Sequence, residues 1–166
     1  MRNQRGSVTV EFALVGIPLI FALISTVEMS RGMWLYDTQA HAINEGVRYV
    51  VVRGVHCTSS GNACGATVGA IATHIANAGV GLVSSDWNVT LYSNSGSNNV
   101  TCNPLSSCLS NSTAWPPSPD NAVGAYVAIS GSYTFNSALG MFWPGVKPVT
   151  FGTYNLPAYA KQAIQF

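Results

Sequence analysis

The chain has 166 residues, enough for one modest domain with a core of its own plus a helical extension. Hydrophobic residues make up 48%, charged residues only 8%, and the net charge is +1. A chain so poor in cations does not draw phosphate backbones, which excludes nucleic acid as a partner.

Charge is also unevenly placed. Residues 1–53 hold Arg2, Arg5, Glu11, Glu28, Arg31, Asp37, Glu45, Arg48 and Arg53, whereas residues 54–166 hold only Asp86, Asp120, Lys147 and Lys161. A surface rich in Ser, Asn, Thr and Gly with so few charges has little protection against self-association. It suits a protein whose neighbours in an assembly cover much of it.

Residues 1–6 form a short polar leader with two arginines, and from Phe12 to Val27 there is no charged residue. As a helix that run spans about 24 Å, and Ser7 to Val10 extend it. This reaches the ~30 Å hydrocarbon thickness if Glu11 lies near one interface, giving a membrane segment over 8–27. A lone carboxylate at the head of such a segment is expensive, so Glu11 is a candidate functional residue. Pro18 removes one backbone donor and permits a kink. Arg2 and Arg5 precede the segment while Glu28 and Arg31 roughly cancel after it, which favours a cytoplasmic N-terminus and an external C-terminal head.

Helical periodicity continues beyond the apolar run. Tyr36, Ala40, Ile43, Val47 and Val50 recur at spacings of three and four and define an apolar face. Asp37, His41, Asn44 and Arg48 define a polar one. Ala40, Ala42 and Gly46 are small enough to let another element approach closely. The pattern predicts one long helix from about Val8 to about Arg53, kinked near Pro18 and stopped by Gly54.

A head follows over 54–166. Thr67–Ala78 reads as a short helix with Val68, Ile71, Ala72 and Ile75 as its apolar face, ended by Gly79-Val80-Gly81. Trp87–Tyr92 alternates and reads as a strand. Ser93–Ser118 reads as one long polar loop. Val123, Ala125, Val127, Ile129, Tyr133 and Phe135 share one parity and predict the strongest strand, with Gly131 marking a bend or bulge. Ser137–Lys147 reads as a connection. Val149, Phe151 and Thr153 suggest a third strand, and Ala158–Phe166 a final short strand or helix. The fold class is therefore α+β: a long N-terminal transmembrane helix, then a small antiparallel-sheet head with one short helix.

The four cysteines fall in two close pairs, Cys57 with Cys64 and Cys102 with Cys108. Four cysteines allow three connectivities. Local pairing is the simplest, since both intervals are loop-like, and disulfides imply an oxidising space such as a periplasm. Zinc would require tighter CxxC-type spacing. His41, His56 and His74 form no metal or catalytic pattern, and adjacent His56 and Cys57 would not face each other as base and nucleophile. The head holds only Asp86 and Asp120 as acids, no phosphate-binding glycine loop and no dinucleotide fingerprint. No catalytic residue, metal or cofactor is expected, and the chain reads as a non-enzyme. Sequons at Asn88, Asn99 and Asn111 arise easily in Ser/Asn-rich sequence, and Trp87, Trp115 and Trp143 suit either a core or a contact surface.

The leader ending in Gly6, Glu11 five residues beyond it, Phe12 and the apolar run together resemble a type IV prepilin N-terminus. Val27-Glu28-Met29-Ser30-Arg31-Gly32, followed by Ala42-Ile43-Asn44-Glu45-Gly46-Val47-Arg48-Tyr49, is similar to TadE-like proteins of tight-adherence (Flp) pilus systems. The resemblance covers residues 5–53 well and continues loosely from Tyr126 to Ala158. It implies cleavage by a prepilin peptidase between Gly6 and Ser7, with Glu11 and Phe12 serving subunit register and assembly. It also implies other pilin subunits and the inner-membrane pilus assembly machinery as partners. The protein would sit in the bacterial inner membrane before assembly and in a cell-surface pilus afterwards. The first mature residue is serine where many type IVa pilins have phenylalanine, so N-methylation is not implied. Two other classes fit parts of the chain. One is a single-pass envelope protein whose head is a binding or adhesion module. The other is a secreted hydrolase, which requires a mature N-terminus between Ser25 and Ser30.

Overall fold

The computed structural model describes residues 5–54, 65–137 and 153–165. The elements, in chain order, are helix α1 (Arg5–Val51), helix α2 (Val68–Ala78), strand β1 (Trp87–Tyr92), strand β2 (Val100–Cys102), a 3-10 turn (Leu105–Cys108), strand β3 (Tyr126–Asn136) and strand β4 (Thr153–Ala163). The strands form one antiparallel sheet in the order β2-β1-β3-β4. Two compact units divide the chain: residues 1–33 with 136–153, and residues 34–135 with 154–166.

In the first unit, α1 runs uninterrupted through Pro18. The Thr26 hydroxyl donates to the Ala22 carbonyl and the Ser30 hydroxyl to the Thr26 carbonyl, both at 2.9 Å. These two polar side chains therefore need no partner outside the helix. Arg31 pairs with Glu28 at 3.5 Å and donates to the Asn136 carbonyl at 3.3 Å.

The second unit holds the core. Its share of α1 buries Leu35, Gln39, Ala42, Ile43, Gly46, Val47 and Val50, a stripe at helical spacing. Burying an aliphatic side chain of this kind contributes about 1.5–3 kcal/mol. The expected stripe began at Tyr36, but Tyr36 is 46% exposed and Leu35 takes the inner position. Ile43, Val47 and Val50 are buried as expected, with the small Ala42 and Gly46 beside them, and the tyrosine lies at the rim. Asp37, His41, Asn44 and Arg48 are exposed, as their spacing predicts.

Helix α1 ends two residues earlier than expected, because the chain tightens before Gly54. The Arg53 N–H donates to the Val50 carbonyl at 2.9 Å and the Gln165 N–H to the Val51 carbonyl at 3.0 Å. The Arg53 guanidinium reaches the Tyr49 carbonyl at 3.0 Å and lies 3.7 Å from the centre of the Tyr49 ring. Three otherwise orphaned carbonyls at the helix end are thereby satisfied.

Helix α2 follows the predicted pattern, with Thr67 as N-cap accepting from the Ala70 N–H at 3.2 Å. Val68, Ile71, Ala72 and Ile75 are buried. Such a cap contributes about 1 kcal/mol.

In the sheet, β1 pairs antiparallel with β3, Trp87 opposite Tyr133 and Leu91 opposite Ile129. Three expectations change here. Ser93–Ser118 is not one structureless loop, because β2 pairs with β1 (Val89 opposite Cys102), the 3-10 turn follows, and Thr67 bridges Ala114. A three-residue strand is too short to announce itself by alternation. Second, β3 starts at Tyr126: Val123 is half exposed, and Gly124 turns the chain at φ +84°. Third, Gly131 makes no bulge and pairs in register with Val89. A Cβ there would fall 2.9 Å from both Gln39 Nε2 and Ile43 Cδ1, so the glycine serves the close approach of helix to sheet.

Strand β4 takes in Thr153 and the start of the predicted C-terminal segment as one strand. Val149, Phe151, Trp143 and almost all of the Ser137–Lys147 connection lie outside the described residues. Trp87 and Trp115 are both buried in the core.

Candidate functional site

The residues of α1 from Val8 to Val27 are nearly all exposed, with Phe12 exposed to 77% and Val8 to 68%. In a helix the backbone groups away from the ends are bonded internally, here apart from the Leu14 carbonyl that Pro18 cannot serve, so such a segment can leave water at little cost in unmet N–H and C=O groups. It contains a window long and apolar enough to cross a membrane. Apolar side chains around the whole circumference call for cover that the described residues do not provide.

All the N-terminal site residues lie on this one element. Gly6 and Ser7 belong to its first turns, Glu11 and Phe12 follow, and Pro18 lies farther along. Glu11 is exposed and, among the described residues, has no ion pair or hydrogen bond. A bare carboxylate on an apolar helix costs heavily in hydrocarbon unless it meets a positive partner.

Cys102 and Cys108 form a disulfide with their Cα atoms 5.6 Å apart, fastening β2 to the end of the 3-10 turn. Both are buried. Cys57, Cys64 and His56 lie outside the described residues. His41 is exposed on α1, and His74 on α2 stacks on Tyr49 with ring centres 4.1 Å apart. Among the described residues no three His, Cys, Asp or Glu side chains cluster so as to hold a metal ion.

The structure also contains a polar knot that the spacing of residues does not reveal. Asp120 is buried and accepts from the Ser95 hydroxyl at 2.6 Å, the Ser95 N–H at 3.1 Å and the Asn98 amide at 3.2 Å. The Ser95 hydroxyl bond is the main cause that holds its carboxyl below the usual carboxylate range, with Ser93 and Asn98 adding to it against the opposing effect of burial. The Trp115 indole N–H donates to the Asn98 carbonyl at 2.8 Å, tying the same turn to the core. The sequence signal is one of only two acids in an almost uncharged head, matched to the Ser/Asn run at 93–99.

These features define a class: an α+β chain with one exposed apolar N-terminal helix compatible with membrane anchoring. Within that class, residues 6–48 match the family model described as TadE-like protein. The matched segment covers most of α1, including Glu11, Pro18 and Glu45 through Arg48. No curated protein matches the chain, and no solved structure does.

Proposed function

We propose that the chain is a structural, non-enzymatic subunit of a type IV-like Tad pilus: a minor pilin or pseudopilin, or a pilin that forms a filament of its own. The observation that carries this reading is the exposed apolar half of α1, within which the TadE-like match begins at residue 6. In this reading residues 1–6 are the leader, residues 7–53 the assembly helix and residues 54–166 the extracytoplasmic head. The chain first sits in the bacterial inner membrane with its N-terminus inside.

Hydrolysis of the Gly6–Ser7 bond by a prepilin peptidase would leave a positive amine on Ser7. In a filament, Glu11 of a neighbouring subunit pairs with that amine. Apolar packing between helices takes over the cover that lipid gave before extraction. It does not fix how far one helix slides along the next. A charge pair desolvated among apolar side chains does, because any other register leaves both charges unpaired. The chain, at 166 residues, is longer than the small major pilins of Flp systems, which favours a minor or specialised place in the assembly.

Mass spectrometry of the chain produced with a prepilin peptidase tests the first step. The expected N-terminus is Ser7, with the leader retained in Gly6→Leu. A mature N-terminus between Ser25 and Ser30, or identical processing of the variant, removes the prepilin reading. Sedimentation then separates a filament subunit from a single-pass envelope protein that stays in the membrane fraction.

A further inference from the structure

The sheet has two faces. Odd-numbered residues of β3 pack into the core, and its even-numbered residues point the other way. On that outer side lies an open trough of about 290 Å³, close to the lower bound of ~300 Å³ typical of small-molecule sites. Tyr92, Tyr126 and Tyr159 wall it, Ser130 and Asn94 lie along it, and Lys161 is the one charged residue among those that line it. Ala128 and Ser130 are small, which sinks the floor between the tyrosines.

The lining is built, not incidental. The Lys161 ammonium lies 4.7 Å from the centre of the Tyr126 ring, a cation–π contact that places the charge over the trough. The Asn94 side-chain oxygen accepts from the Tyr126 N–H at 3.3 Å, leaving its two amide protons available. The turn carrying Ser93 and Asn94 is fixed from behind by Asp120 through Ser95 and Asn98. Among the described residues, no hydrogen bond engages the three tyrosine hydroxyls or that of Ser130.

We propose that this trough binds a saccharide bearing a carboxylate. Tyrosine faces offer flat, rigid area to the C–H side of a sugar ring at small entropic cost, and serine and asparagine supply adaptable hydrogen bonds. The single ammonium complements one carboxylate and falls far short of the row of cations a phosphate backbone needs. Free polar groups throughout the lining disfavour a purely apolar ligand. A peptide added at the sheet edge is opposed by Pro157 and Lys161, both on edge strand β4. The proposal does not depend on whether the chain polymerises.

The test uses the full chain in detergent micelles, titrated calorimetrically with digalacturonic acid and with its carboxyl-reduced neutral counterpart. The acid is expected to bind at least 10-fold more tightly than the neutral sugar. Lys161→Gln should abolish that preference, Lys161→Arg should restore it, and Tyr159→Ser should weaken both sugars. Tyr154→Ser, at a residue on β4 that does not line the trough, should change neither. Near-UV circular dichroism matching the parent establishes that each variant is folded. Absence of acid binding at millimolar concentration, equal affinity for the neutral sugar, or indifference to Lys161→Gln overturns the proposal, as does preferential binding of an oligonucleotide or peptide.

Discussion

Gly46 on α1 faces Ile75 on α2 so closely that a Cβ at residue 46 would lie 2.5 Å from Ile75 Cγ1 and 2.8 Å from its Cδ1. Ile75 is fully buried, so it has no open space into which to turn. Gly46→Ala gains about 1 kcal/mol of helix propensity but incurs about 1–3 kcal/mol of overpacking. A net loss of about 1 kcal/mol is expected in urea unfolding. The double variant with Ile75→Ala should lose less than the sum of the single changes, because the shortened side chain relieves the overlap. Simple additivity would show that the two sites are not in contact.

Asp120 makes the head sensitive to acid. Its folded-state carboxyl titrates below its ordinary value of 3.8, chiefly because the Ser95 hydroxyl bonds the ionised form. The stabilisation is therefore complete above the unfolded value and is lost as pH falls through the folded one. Asp120→Asn should reduce stability at pH 7 and flatten the fall in stability as pH drops below about 4. Parallel pH profiles for parent and variant would remove Asp120 as the cause.

Replacing Cys102 and Cys108 together by alanine frees the end of β2. For so short a closed loop the expected loss is about 2 kcal/mol on the chain-entropy estimate. Alanine is the informative choice because both positions are buried and a serine hydroxyl would add an unmet hydrogen-bonding demand. Denaturant midpoints of the parent, with and without reductant, provide the comparison.

Gln39 is fully buried on α1, and among the described residues neither its amide nitrogen nor its oxygen has a hydrogen-bond partner. Leaving such groups unmet costs about 1–3 kcal/mol. Gln39→Met, of similar length and apolar, should raise the midpoint of thermal unfolding. A lowered midpoint would instead indicate a buried water bridging Gln39 to the likewise unpartnered Trp87 indole.

Glu11→Ala and Glu11→Gln address assembly. Both should leave membrane insertion and leader cleavage intact and reduce incorporation into filaments, measured as the sheared surface fraction against the membrane fraction. Normal filaments from both variants would discard the charge-register idea.

The large elements were legible because their periods are long. Val68, Ile71, Ala72 and Ile75 repeat at helical spacing, and Val127, Ile129, Tyr133 and Phe135 alternate, so α2 and β3 could be placed from the sequence. What escaped depends on contacts between distant residues. Gly131 reads as a local irregularity until Gln39 and Ile43 are seen above it. Strand β2 is defined by its partner β1 and not by its own three residues. Ile43, Val47 and Val50 are buried as their spacing predicts, and only the start of the α1 stripe was misplaced, because Tyr36 and Leu35 are both apolar. The Asp120 knot joins residues more than twenty positions apart, and no spacing rule reaches that far. Glu11 stands out as a candidate from the sequence alone, since a charge in apolar sequence is a signal at any distance.

Helix α1 carries two different duties along one hydrogen-bonded element. Its exposed apolar stretch ends near Val27, and its core stripe begins at Leu35 and runs to Val50. This sets where a soluble fragment can be cut. A protease or a gene truncation acting just ahead of Trp34 spares every helical side chain of the core. A cut at Gly54, the outwardly natural boundary between helix and head, strips Ile43, Val47 and Val50 from the core and leaves Ile75 and Ile129 facing water. Crystallisable or injectable material should therefore begin near Trp34, with the second half of the helix retained.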